Sequence, residues 1–203
     1  MLNPEATALS HQALPLQLEN LKRAYPYFRV IHVTDSSYDG KSATCAKMDY
    51  FNFIDCYALD LEGRLHRIQL KARETGNDDL VFICRKITDS DMIHNPHIGF
   101  TFGGKKYSFV LNGIDIFCEL INGKIYNMRA TDLMALEYDT EGEDNPYITA
   151  VRPQKYYDSM GQEFPSGFYY AFISVENAMQ LKNDLLMAEN RDYYYVYPDE
   201  QEH

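Results

Sequence analysis

Three polar side chains on neighbouring strand-like segments could bind a metal ion and cleave a phosphodiester bond. Asp55 lies within one apolar run, and Gln69 and Lys71 stand one residue apart in the next. Mg²⁺ or Mn²⁺ prefers oxygen ligands, which the Asp55 carboxylate, the Gln69 amide and the Leu70 backbone carbonyl would supply. The metal would lower the pKa of a bound water and polarise the phosphate. The Lys71 amine would position that water or stabilise the charge developing on phosphate. This set predicts metal-dependent hydrolysis of a phosphodiester bond.

A β-hairpin must bring these residues together. Residues 50–59 and 65–72 have the pattern of strands, and the three-residue loop between Asp60 and Arg64 ends in Gly63. Glycine favours this loop because it adopts the left-handed conformation that the last position requires. The resulting register pairs residues whose numbers sum to 124, which places the carboxylate, amide and amine on one face. A two-residue loop would shift the register and separate them. The opposite face would be apolar, formed by Ile54, Cys56, Ala58, Ile68 and Leu70.

Residues 51–73 resemble the core hairpin of the PD-(D/E)xK, or restriction-endonuclease-like, nuclease superfamily in the sequence FNFIDCYALDLEGRLHRIQLKAR. Residues 113–128 are similar to a strand pair that follows this core in intron-encoded and resolvase-like members, in the sequence GIDIFCELINGKIYNM. The resemblance implies a mixed sheet flanked by helices and metal-dependent cleavage of nucleic acid, with DNA favoured over RNA. Two positions depart from the family pattern. Ile54 replaces the proline, and Gln69 replaces an acidic residue, which removes one negative charge from the metal site.

The resemblance also implies roles for residues outside the three-residue set. A helix before the hairpin often supplies a glutamate in that superfamily, and Glu19, in the predicted helix 16–24, is the matching candidate catalytic residue. Arg67 shares the predicted active face and Arg73 continues it, so both are expected to contact phosphates. Many such enzymes act as dimers, so a homodimer is an expectation from the resemblance alone.

The rest of the chain predicts an α+β fold with a mixed central β-sheet flanked by helices. This would be a restriction-endonuclease-like core with additional C-terminal strands and a helix. Gly103-Gly104 and Asn122-Gly123 mark two hairpins, and Ser174 precedes a helix predicted over 175–188. We expect residues 1–203 to form a single domain. Its predicted parts are a loose lead-in (1–14), a nuclease-like core (15–136), an acidic C-terminal extension packed on that core (137–189) and a tail (190–203).

The net charge of −11 is concentrated in the last third of the chain. Residues 1–129 contain 15 basic and 15 acidic side chains, whereas residues 130–203 contain 4 basic and 15 acidic ones. The neutral part can carry a phosphate-binding face, and the acidic part suits a basic protein partner. Two alternatives to a nuclease therefore stay open. One is a catalytically inactive nuclease-like fold acting as an acidic protein-interaction module. The other is an unrelated α+β domain in which Asp55 and Lys71 form a surface ion pair.

The composition favours an intracellular protein. The four cysteines form no CxxC pair, and three of them lie in apolar, strand-like runs, which is typical of reduced core residues. The chain has no apolar run long enough for a membrane-spanning helix, and the first residues do not resemble a secretory signal. We therefore expect a cytoplasmic location without membrane contact.

Overall fold

Six stretches of the chain have a described structure. The structure, a computed structural model, describes residues 4–34, 53–73, 78–94, 98–137, 142–157 and 160–195. Within these stretches the helices are α1 (Pro4–Ala24), α2 (Asp89–His94), α3 (Ala130–Leu136) and α4 (Val175–Tyr195). The strands are β1 (Arg29–Val33), β2 (Cys56–Leu59), β3 (Leu65–Arg73), β4 (Asp79–Lys86), β5 (Phe100–Phe102), β6 (Lys105–Phe109), β7 (Ile116–Ile121), β8 (Lys124–Arg129), β9 (Ile148–Tyr157) and β10 (Glu163–Ser174).

The strands form two five-stranded sheets. Sheet A has the order β1-β2-β3-β7-β8 and is mixed, because β3 and β7 run parallel while the other neighbours are antiparallel. Sheet B has the order β5-β6-β4-β10-β9 and is antiparallel throughout. The prediction of an α+β fold containing a mixed sheet is confirmed. The prediction of one central sheet is wrong, because β4 pairs with β10 and, together with β5 and β6, belongs to sheet B instead of sheet A.

Two apolar clusters hold the layers together. The first, which we call the α1 cluster, lies between α1 and one face of sheet A. It consists of Leu14, Leu21, Cys56, Ala58, Ile68, Leu70, Ile116 and Cys118. The second, the intersheet core, joins both sheets with α3 and α4. Its members include Ile54, Phe82, Cys84, Phe109, Phe117, Ile121, Met128, Leu133, Ala171, Ile173 and Leu181. The structure therefore has α1, sheet A and sheet B as successive layers.

Both ends of the described chain are more helical than the sequence predicts. The predicted lead-in 1–14 is wrong from Pro4 onward, because α1 begins there and continues through Pro15. A proline inside a helix removes one hydrogen bond, but the burial of Leu14 and Leu21 against sheet A offsets that loss. The predicted tail is helical up to Tyr195, since no glycine or proline interrupts the sequence before Pro198. Residues 196–203 lie outside the described residues.

Three cysteines behave as the sequence predicts. Cys56, Cys84 and Cys118 are buried and carry free thiols, whereas Cys45 lies outside the described residues. Burial raises the pKa of the Cys84 and Cys118 thiols to about 12, which keeps both neutral. In the described part of the chain, no helix combines the length and apolar character needed to cross a bilayer.

Candidate functional site

The hairpin of β2 and β3 has the predicted register. Cys56 pairs with Ile68 and Tyr57 with Arg67, so the paired residue numbers sum to 124. The turn is stabilised by Asp60, whose carboxylate accepts hydrogen bonds from the backbone N–H groups of Glu62 and Arg64, both at 2.9 Å. Gly63 has φ +77°, the left-handed conformation that the three-residue loop requires. The local sequence therefore sets which face each β3 side chain occupies.

Asp55 lies where β2 separates from β3. Phe53 has a positive φ of 55°, and the chain leaves the regular ladder just before the strand begins. Ile54 consequently packs in the intersheet core, so its predicted place among the α1-facing residues is wrong. The Asp55 N–H donates to the Ile68 carbonyl at 2.9 Å, and its carboxylate accepts the Leu70 N–H at 2.5 Å. The carboxylate thus completes the hydrogen bonding of β3 where β2 no longer supplies a partner.

Gln69 and Lys71 face sheet B. On the parallel neighbour β7, Gln69 pairs with Phe117 and Lys71 with Glu119, so these four side chains share a face. The Lys71 amine donates to the Val81 carbonyl of β4 at 3.1 Å, and the Glu119 carboxylate accepts the Val81 N–H at 3.0 Å. One cation and one anion from sheet A therefore bind both backbone groups of a single residue in sheet B.

The geometry of β4 explains why Val81 needs these partners. Strand β10 pairs with β4 from Asp79 to Arg85, but β6 pairs with its other edge only from Cys84 to Lys86. The Ile83 carbonyl is satisfied by the Val110 N–H at 2.9 Å. At Val81 no strand of the described residues pairs with the second edge, and buried backbone groups without partners are strongly unfavourable. The Lys71 and Glu119 side chains take the place of a strand there.

Glu119 is a residue that the hairpin analysis missed. It is 4% exposed, and every other residue of β7 is buried too. The signal was present in the sequence, because a charged residue inside the apolar run IFCELI demands a partner when the strand is buried on both faces.

The space between the sheets at this point is small. The cavity has a volume of about 10 Å³, and its lining includes Gln69, Lys71, Val81 and Glu119. That volume is about what one water molecule occupies. Asp55 is not among the described residues that line this cavity. A nucleic-acid phosphate with its metal ion does not fit there.

The metal site predicted for Asp55, Gln69 and the Leu70 carbonyl stays a prediction, and the structure shows one hydrogen bond within this set. Asp55 is the one charged ligand in the set with Gln69 and the Leu70 carbonyl, and its carboxylate already accepts a backbone N–H. Across the described stretches, no group of three or more His, Cys, Asp or Glu side chains is placed to hold a metal ion. Mg²⁺ sites usually use more than one carboxylate or a substrate phosphate, so a metal at Asp55 would need further oxygen ligands from a substrate or from water.

The remaining predicted site residues lie apart from the cavity or have other partners. Arg67 forms a two-point ion pair with Asp115, with Nε–Oδ2 and Nη2–Oδ1 distances of 3.1 and 3.2 Å. Glu19 pairs with Arg23 on the exposed side of α1, and α1 covers the face of sheet A opposite to Gln69 and Lys71. Arg73 ends β3, but its side chain lies outside the described residues. The phosphate contacts of Arg67 and Arg73 and the catalytic role of Glu19 stay predictions.

The ion pair between Arg67 and Asp115 predicts part of the acid sensitivity of the fold. Burial would raise the pKa of Asp115, but hydrogen bonds from the Arg67 side chain and backbone hold that pKa below its usual value. A depressed folded-state pKa contributes stability that is present above the unfolded value of about 3.9 and is lost as pH falls through the folded value. We expect the free energy of unfolding, measured with urea, to fall between pH 5 and pH 2.5. Asp115→Asn should show a shallower fall, and an equally steep one would contradict this role.

Comparisons with known proteins leave the site to be interpreted from its own geometry. No family model, curated protein or solved structure gave a significant match to this chain. The resemblance of the hairpin to the PD-(D/E)xK superfamily therefore stays a prediction.

Proposed function

We propose that this chain is a non-catalytic binding protein that holds a basic amphipathic segment of a partner protein beside α4. The observation that carries the proposal is an open groove of about 770 Å³ where β4 and the start of α4 meet. Its lining contains the acidic side chains of Asp78, Asp79 and Glu176 and the apolar side chain of Met179. No lysine or arginine belongs to that lining among the described residues, so the groove attracts cations.

An exposed apolar stripe continues from the groove along α4. Met179, Leu186 and Met187 are 62, 56 and 60% exposed, and their spacing of seven and eight residues puts them on one side of the helix. Methionine is flexible and packs against many partner shapes. An amphipathic helix can place apolar side chains on such a stripe while its lysines meet the acidic end. The combination favours a basic amphipathic occupant over a purely polar one.

The position of Lys71 supports a function without catalysis. A catalytic lysine must reach a substrate phosphate, but the Lys71 amine is bound to the Val81 carbonyl beside a cavity of about 10 Å³. The Lys71 side chain thus has a structural use in joining the two sheets.

Binding to a designed peptide tests the groove. The probe is a fluorescent 20-residue peptide with leucines on one helical face and lysines on the other, and its Kd is measured by anisotropy at several salt concentrations. Asp78→Asn with Asp79→Asn should raise the Kd about tenfold, because two contacts with lysines are lost. The matched control is Asp89→Asn with Asp144→Asn, which removes the same charge from exposed positions outside the groove. Equal weakening by both double variants would mean non-specific attraction and would overturn the proposal.

Hydrolysis of nucleic acid is the second candidate function. It is favoured by the hairpin register, which puts Gln69 and Lys71 on one face and brings the Asp55 carboxylate to the Leu70 N–H. The test incubates the protein with supercoiled plasmid, single-stranded DNA and RNA in Mg²⁺ or Mn²⁺, beside Asp55→Asn and Lys71→Ala. The non-catalytic proposal predicts no cleavage. Cleavage by the wild type that both folded variants lose would establish the nuclease instead.

A further inference from the structure

The outer face of sheet B carries a row of aromatic rings. Phe168, Tyr170 and Phe172 occupy alternate positions of β10 and are partly exposed. The residues between and beyond them point the other way, and Ala171 and Ile173 are fully buried in the intersheet core. Alternate side chains of a strand stand about 7 Å apart on one face. The three rings therefore form a continuous outward-facing row.

The neighbouring strands extend this row into a patch. On β4, Val81 is paired with Phe172 and Ile83 with Tyr170, so both apolar side chains share the outer face. The described helices leave the patch uncovered. The buried apolar residues described in α1, α3 and α4 belong to the α1 cluster or the intersheet core, and α2 buries none. A contiguous, partly exposed apolar sheet face of this kind marks a binding surface more often than scattered exposed residues do.

Two arginines flank the rings. Arg85 is paired with Phe168 on one side, and Arg152 is paired with Tyr170 on the other. The Arg152 guanidinium carbon lies 5.1 Å from the centre of the Phe172 ring, a cation–π arrangement. Neither arginine forms an ion pair with a described residue, whereas the exposed guanidinium groups of Arg23, Arg64 and Arg129 all do. The Arg85 charge also interacts with the nearby carboxylates of Asp91 and Glu137, but neither forms an ion pair with it, so both guanidinium groups can contact an anionic ligand.

We infer that the outer face of β4, β10 and β9 binds single-stranded nucleic acid, a different ligand from the basic segment proposed for the groove. Bases stack on the rings of Phe168 and Tyr170, the Phe172 ring holds the Arg152 guanidinium in place, and phosphates contact Arg85 and Arg152. A duplex keeps its bases stacked inside and cannot use the rings. Asp79 lies at the far end of the same face from Arg85, which limits the bound strand to the two or three nucleotides that the rings cover.

The inference predicts weak, salt-sensitive binding with little sequence preference. With two phosphate contacts, a plot of log affinity against log salt concentration should have a slope of about −1.4. The probe is fluorescein-labelled dT12, titrated with the full chain at low salt and followed by anisotropy.

Conservative variants separate stacking from folding. Tyr170→Leu keeps an apolar side chain but removes the ring, and it should raise the Kd for dT12 about tenfold, whereas Tyr170→Phe should bind like the wild type. Arg152→Gln should weaken binding and reduce the magnitude of the salt slope by about 0.7. The matched charge control is Lys155→Gln, whose amine is already paired with Glu163 and which should change the Kd less than twofold. Circular dichroism confirms that each variant is folded.

Three outcomes would overturn the inference. They are no binding of dT12 at low salt, equal effects of Tyr170→Leu and Tyr170→Phe, or competition by duplex DNA as effective as that by unlabelled dT12. Self-association through the same face would appear in sedimentation as a dimer that Tyr170→Leu dissociates, and that result would assign the patch to a second copy of the chain instead.

Discussion

Replacing Glu119 with alanine is expected to lower the free energy of unfolding by about 3 kcal/mol, because a buried charged network loses one member. The variant leaves the Val81 N–H without an acceptor. It also removes the negative charge from the residue of β7 that is paired with Lys71 of β3. Glu119 is 4% exposed, so water cannot readily replace the lost carboxylate. The loss is measured by urea unfolding at pH 7.

Two further variants decide whether this effect comes from the intersheet contact. Glu119→Gln keeps an oxygen that can accept the Val81 N–H, so it should lose less stability than Glu119→Ala. Glu19→Ala is the exposed comparison, because its ion pair with Arg23 lies at the surface, and it should change stability by less than about 1 kcal/mol. Equal losses for Glu119→Ala and Glu19→Ala would show that the buried carboxylate does not join the sheets.

Leu21→Ala should also lower the free energy of unfolding by about 3 kcal/mol, since it leaves a cavity in the α1 cluster. Leu21 is completely buried against the face of sheet A formed by residues such as Ile68 and Cys118. The physical reason is the loss of both the burial of the leucine side chain and its contacts with a sheet that cannot close the gap.

The neighbouring Leu16 provides the control for this second prediction. It lies on the same helix but is 45% exposed, so Leu16→Ala should lower the free energy of unfolding by less than about 1 kcal/mol. Leu16→Ala and Leu21→Ala change the intrinsic helix propensity by the same amount, so the difference between them reports packing. Urea unfolding of both variants makes the comparison. Similar losses at the two positions would mean that α1 does not pack on sheet A through Leu21.

Local signals in the sequence predicted the local structure well. The loop ending in Gly63 set the register of β2 and β3. Gly103-Gly104 marked the hairpin of β5 and β6, and Asn122-Gly123 marked the hairpin of β7 and β8. Each of these depends on a few adjacent residues whose backbone preferences are strong.

Local sequence signals could not predict which distant strands pair with each other. Strand β4 pairs with β10, which lies about 90 residues later in the chain, and no local preference reveals that partner. The division into two sheets follows from this pairing and places β4 over Gln69 and Lys71. A face that the hairpin pattern leaves open for a substrate is therefore covered by a strand, and the polar residues on it acquire a structural role.

The predicted start of the first helix was wrong for a related reason. Pro15 signals a helix start when only the local sequence is considered. Leu14 precedes this proline and Leu21 follows it, yet both side chains pack into the α1 cluster. Tertiary packing can stabilise a helix through a position that its own propensity disfavours.

Hydrogen exchange at the Val81 amide tests most directly the claim that Glu119 and Lys71 close the open edge of β4. Neighbouring residues in a strand direct their N–H groups to opposite edges, so the Val81 N–H points to Glu119 while the Phe82 N–H points to β10. We predict slow exchange at both amides in the wild type. In Glu119→Ala, Val81 should lose its protection while Phe82 keeps more of it. Exchange at Val81 that is fast in the wild type, or unchanged by the substitution, would contradict the account.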